Sequence, residues 1–121
     1  SITIMSQSHL EYCNGQDRKV IYALVKKVLA DGYSISINDG EDTTVEFSTD
    51  RVEILKAMTS TGEDYLMVNS GSNELGYFYL IYDNGSDEEP MVVISDVGYS
   101  NTPEGRYCSD LYEALDQQFG R

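Results

Sequence analysis

Gly76-Tyr77-Phe78-Tyr79-Leu80-Ile81-Tyr82 is a run of aromatic and branched apolar residues between two polar turn segments, Ser70-Gly71-Ser72-Asn73 and Asp83-Asn84-Gly85-Ser86-Asp87. Seven residues are too few for a stable helix, and this composition suits a pleated surface packed from at least one side. Alternation places Phe78, Leu80 and Tyr82 on one face and Tyr77, Tyr79 and Ile81 on the other. One face must be core, and the other carries tyrosine.

Working outward, two further strand-like runs flank this one, 64–69 before it and 91–95 after it, and the turns between them predict an antiparallel meander. Upstream, Tyr33, Ile35 and Ile37 alternate with Ser34 and Ser36. The turn Asn38-Asp39-Gly40-Glu41-Asp42 follows, then Val45 and Phe47 alternate with Thr44 and Glu46. That is a β-hairpin with an acidic tip.

Three helices complete the pattern. Ile21, Leu24, Val25 and Val28 recur at i, i+3, i+4 and i+7 between Asp17, a suitable N-cap, and Gly32, a suitable residue just past a helix end. Asp50 with Glu53 three residues on resembles a capping box, predicting a short helix with Val52, Leu55 and Met58 inward. A last helix is expected to begin near Ser109 or Asp110 and to use Leu111, Leu115 and Phe119. The predicted order is α-β-β-α-β-β-β-α: one α+β domain over 17–121, with a mostly antiparallel sheet of about five strands and helices on one face. Residues 1–16 show no sustained period and read as a loosely attached lead-in.

The length of 121 residues suits one domain. No apolar run is long enough to span a bilayer, and the first thirty residues lack the succession of a signal peptide, so the expected location is the cytoplasm. Cys13 and Cys108 fit neither a disulfide-dense scaffold nor a closed zinc site; two unpaired thiols or a single bridge remain open.

Charge is the most informative global feature. The chain carries 21 acids and 8 bases, a formal net charge of −13. Residues 1–30 are net +2 and residues 31–121 net −15. Such a body repels phosphates and anionic membrane surfaces, so direct nucleic-acid or membrane binding is not expected.

Motifs for chemistry are sparse. His9 is the single histidine and stands in the lead-in, a poor place for a relay that needs packed neighbours. No P-loop, dinucleotide fingerprint, nucleophile elbow or zincin motif occurs. Carboxylate pairs carry little information among 21 acids. The two acidic turns offer hard oxygen ligands for calcium, yet neither has the EF-hand register, and acidic hairpin tips explain both. No catalytic residue, metal site or cofactor is expected.

A partner-binding surface is the better expectation. Its candidates are the acids Asp39, Glu41, Asp42, Asp83, Asp87, Glu88 and Glu89, predicted in exposed turns, with Glu46, Glu63 and Asp64 as supporting charges. Tyr77 and Tyr79 supply rigid contact area with polar tips. Carboxylates spread over a rigid surface can imitate a phosphate array and occupy the groove of a basic, nucleic-acid-binding protein. The competing explanation is solvation, although −13 exceeds the magnitude of about 2 to 8 that suffices for a small domain.

Five blocks, ADGYSISINDGED (30–42), STDRVEI (48–54), STGEDYL (60–66), GYFYLIYDN (76–84) and VISD (93–96), resemble in order and spacing a family of small uncharacterised accessory proteins of tailed phages and prophages. The resemblance covers a little over half the chain. In that family a Trp often stands at the place of Tyr77, and the segment between 84 and 93 is shorter. The resemblance implies a phage-encoded accessory or anti-defence protein made in the host cytoplasm, and it transfers no site residue. Alternatives are a metal- or small-ligand-binding protein such as a metabolite sponge, and an acidic immunity protein against a basic nuclease toxin. The unpaired edge of the meander also allows a homodimer.

Overall fold

The computed structural model describes residues 15–59, 61–82 and 89–120. Helix α1 (Gly15–Ala30) leads into strands β1 (Ser34–Asn38) and β2 (Thr43–Ser48). Helix α2 (Arg51–Ala57) precedes β3 (Glu63–Ser70) and β4 (Asn73–Ile81). A 3-10 turn (Pro90–Val93), strand β5 (Ile94–Gly98) and helix α3 (Tyr107–Phe119) complete the chain. All strand pairs are antiparallel, in the spatial order β2-β1-β3-β4-β5. This is the α+β sheet-and-helix layout that the periodicities predict.

Helix α1 buries Val20, Ile21, Leu24, Val25 and Val28 completely, on the face set by the 3.6-residue period. It starts three residues earlier than an Asp17 cap would allow, so Asp17 is not its cap. Asp17 lies buried in the first turn, where the helix dipole favours a carboxylate. The C-terminus closes in a Schellman motif: Tyr33 N–H donates to Val28 C=O at 3.2 Å and Gly32 N–H to Leu29 C=O at 3.0 Å. That closure needs the left-handed backbone at Gly32 (φ +91°), which suits glycine.

The cap of α2 is a relayed form of the expected box. Asp50 accepts from the backbone N–H of Val52 and Glu53, as an N-cap should. Glu53 does not reach the Asp50 N–H directly. Its carboxylate accepts from the Ser48 hydroxyl at 2.7 Å, and the Ser48 oxygen accepts from the Asp50 N–H at 3.0 Å. The inward set is corrected too: Val52 is 61% exposed, and Ile54 with Met58 fills the core.

The run 91–95 is not a strand from its start. Pro90 stands at the first position of the 3-10 turn, where its fixed φ and missing N–H favour a helical start, and extended backbone begins only at Ile94. Met91 and Val93 still reach the core from that turn. Helix α3 begins at Tyr107, ahead of the expected start, and buries Cys108, Leu111 and Leu115. Its first turn is tied to the end of α1: the Tyr107 hydroxyl donates to Asp31 at 2.6 Å, and the Tyr107 ring meets Tyr33 edge-on. Cys108 is a free, buried thiol lying against Gly76 of β4; burial pushes it up to about 12, with the Glu74 charge adding to the shift.

The buried residues of all three helices and the sheet form one cluster, to which β1, β3 and β4 contribute Ile35, Ile37, Leu66, Val68, Phe78 and Leu80. Every described helix therefore covers the same sheet face. Among the described residues, no helix is long and apolar enough to cross a membrane.

Candidate functional site

The sheet face turned away from the helices is where the tyrosines collect. Register pairs Tyr65 of β3 with Tyr79 of β4 and Met67 with Tyr77, while on β5 Tyr79 pairs with Asp96 and Tyr77 with Gly98. Period 2 puts these side chains on the face opposite Leu66, Phe78 and Leu80. Tyr65 and Tyr79 stack with ring centroids 4.5 Å apart and planes 19° apart. Tyr77 meets Tyr65 edge-on at 5.8 Å and 63°. A Cβ at Gly98 would run into the Tyr77 ring, so any side chain there would force the ring or β5 to shift. None of the three rings belongs to the core cluster, and all are half-buried.

Carboxylates border this platform. The Tyr79 hydroxyl donates to Glu63 Oε1 at 2.7 Å, and that bond, then burial and the Glu63 charge, pushes the phenol up to about 12. Tyr79 is thus a neutral donor at physiological pH and no general base. The β1–β2 tip leans over Glu63, the Gly40 Cβ position lying 2.9 Å from its Oε2. Asp39, Glu41 and Glu63 together line a hollow of about 590 Å³. Exposed Asp96 lies beyond Tyr79 on β5. The surface runs from the hairpin tip through Glu63, Tyr79, Tyr65 and Tyr77 to β5.

The tip is built by its own side chains. Asn38 accepts from the Gly40 N–H, and Asp39 Oδ1 from the N–H groups of Glu41 and Asp42, each at 2.9 Å. These backbone bonds hold the Asp39 carboxyl below the usual range. One oxygen of Asp39 is thereby committed to the turn, and Glu41 is the freer acid. Among the described residues, no three His, Cys, Asp or Glu side chains converge to hold a metal ion.

Of the expected partner-binding residues, Asp39, Glu41, Glu63, Tyr77 and Tyr79 come together here. Asp42 is exposed in the same tip, and Glu46 is exposed on edge strand β2. Glu89 is exposed beside a separate depression that it shares with Met91, Tyr112 and Asp116. Asp83, Asp87 and Glu88 lie outside the described residues, as does His9.

Asp64 is the correction. It is fully buried on the core face of β3, not exposed. Its Oδ2 accepts from the Tyr82 hydroxyl at 2.6 Å and from the Thr59 N–H at 2.8 Å; Oδ1 is buried with no hydrogen-bond partner. Burial pushes the carboxyl up to about 6 against the two bonds that lower it. Thr59 holds a positive φ of 64°, unusual for a β-branched residue, and its N–H is one of those bonds. Asp64 therefore fastens the α2–β3 turn and offers nothing to a partner.

Tyr65, Asp96 and Gly98 were missed as site residues. Tyr65 was legible as a strand residue, but its contact with Tyr79 depends on the β3–β4 register, which neither strand states alone. The chain matches no protein-family model, no curated protein and no solved structure.

Proposed function

We propose that this chain is a binding module whose sheet face opposite the described helices takes a basic segment of a partner protein. The observation that carries the reading is the continuity of Glu63, Tyr79, Tyr65 and Tyr77 on one face, with acids at both ends. A guanidinium stacks on a phenol ring and pairs with a carboxylate at once, a combination that an ammonium matches less well. Arginine is accordingly the side chain this surface suits best. The net charge of −13 steers such a partner toward it.

A partner whose Arg-lined groove normally holds nucleic acid meets these requirements. The proposal extends to a phage-type accessory protein that occupies such a groove in a host protein, supported by the five-block resemblance and by the acid excess. The test is capture from a bacterial lysate by the wild-type chain, by Tyr65→Ser/Tyr77→Ser and by Glu63→Gln, with low- and high-salt washes. A basic protein retained by the wild type, released by high salt and lost from the double variant supports the reading. Equal retention by the double variant removes the sheet face from it.

A further inference from the structure

On the helical side of the molecule, a cleft of about 760 Å³ opens between α1, α2 and the end of α3. Its apolar lining is Tyr22 and Ala23 from α1, Val52 and Leu55 from α2, and Phe119 from α3. Val52 and Tyr22 remain 61% and 45% exposed, so the valley leaves them unfilled. Its charged lining is Lys19, Lys26 and Arg51, three of the eight bases in the chain. No acid lines it.

That reversal of charge is the unusual feature. Lys27 pairs with Asp31 outside the cleft, and among the described residues no carboxylate pairs with Lys19, Lys26 or Arg51 despite the acid excess. Lys19, Tyr22, Ala23 and Lys26 stand at i, i+3, i+4 and i+7, one stripe of α1. The lysines are then about 10.5 Å apart along the axis, with the apolar pair between them. Clefts of roughly 300–1,000 Å³ with apolar walls and a few placed charges are the usual form of small-molecule sites.

We infer that this cleft binds an amphipathic organic carboxylate, a medium-chain or aromatic acid whose apolar body lies on Tyr22, Val52, Leu55 and Phe119. Its carboxylate is held by Lys19, Lys26 or Arg51. A polyphosphate is disfavoured by the apolar floor, and the N-terminus of α2 beside Arg51 is already capped by Asp50. The inference stands apart from the tyrosine face, since the two surfaces lie on opposite sides of the sheet and either can fail alone.

The test uses the whole chain with octanoate and 2-naphthoate as probes, and octanol and 2-naphthylmethanol as their neutral counterparts, read by backbone amide NMR. The expected result is saturable binding of at least one acid, with shifts centred on Lys19–Lys26, Arg51–Leu55 and Phe119. The neutral counterpart should bind at least about tenfold more weakly, the loss of one charge-assisted contact. Preference between the acids tells an aliphatic from an aromatic ligand. Lys19→Glu/Lys26→Glu changes only exposed side chains and should abolish acid binding. No saturable binding of either acid, equal binding of the neutral molecules, or shifts centred elsewhere overturns the inference. Binding of an acidic amphipathic peptide, with neither acid bound, overturns it in favour of a protein partner.

Discussion

Tyr65 and Tyr79 stack across β3 and β4 with their ring planes only 19° apart, and Tyr79 is held at the same time by a 2.7 Å hydrogen bond to Glu63. The stack sets the flat surface and the bond sets its orientation. Both lie on the sheet face opposite the described helices.

Replacing Glu63 by Gln removes the first cause of the raised Tyr79 phenol. Tyr79 ionises near 12 in the wild type. In Glu63→Gln its ionisation should move down toward the ordinary value of about 10. Tyrosine-selective NMR during an alkaline titration reads this directly. An unchanged Tyr79 would mean that the bond is not formed in solution.

Asp64 makes stability depend on pH in the direction opposite to an ion-paired carboxylate. Its folded-state pKa of about 6 lies above the ordinary 3.8, so between those values the folded chain binds the extra proton. Stability contributed by Asp64 is greatest at and below about pH 4 and is lost as pH rises through 6, by about 3 kcal/mol in all. Asp64→Asn should flatten that part of the profile and keep the fold, since its side-chain oxygen still accepts from Tyr82 and Thr59. Denaturant unfolding from pH 4 to 7.5 compares the two, and a wild-type slope unchanged in the variant counts against the assignment.

Gly98→Ala should be costly although it adds one methyl to a half-buried strand position. The new Cβ meets the Tyr77 ring, which must move or push β5 away from β4. Overpacking of this kind costs typically about 1–3 kcal/mol. Thermal unfolding measures the cost, and Tyr77→Ala in the same chain should relieve part of it. No loss of stability in Gly98→Ala would show that the ring does not lie over β5.

Asp50→Ala should destabilise the chain by about 1 kcal/mol, the usual cost of losing a helix N-cap. Two backbone N–H groups of α2 lose their acceptor. The relay Glu53–Ser48–Asp50 N–H depends only on the Asp50 backbone and survives the change, so the melt should shift without loss of cooperativity.

The elements with strong local period were legible in the sequence. Helix α1, strand β1 and the alternation in β4 follow from apolar spacing, because burial repeats at 3.6 or 2 residues regardless of partner. In β2 the expected alternation of Val45 and Phe47 fails: the β1–β2 register shifts, Phe47 takes a positive φ of 49° and stands exposed, and Ser48 is buried in its place. Val52 was misplaced because α2 has only seven residues, too short for spacing to define a face. Asp64 shares parity with Leu66 and Val68, so alternation already pointed inward; reading it as exposed followed its charge instead of its position. The stack of Tyr65 on Tyr79 and the placing of Tyr77 over Gly98 depend on interstrand register, and the cleft between the helices depends on how three separate elements pack. Neither is a property of any one segment.

The most direct test of the sheet-face proposal is amide NMR of the wild-type chain titrated with a short arginine-rich peptide at low and moderate salt. Shifts centred on Glu63, Tyr65, Tyr77, Tyr79 and Asp96, weakened by salt and lost in Tyr65→Ser/Tyr77→Ser, are the predicted result. Shifts spread evenly over the acidic surface of α3 and the hairpin, unaffected by loss of the two tyrosines, would show that the chain attracts basic segments by net charge alone and that the tyrosine face is not a binding site.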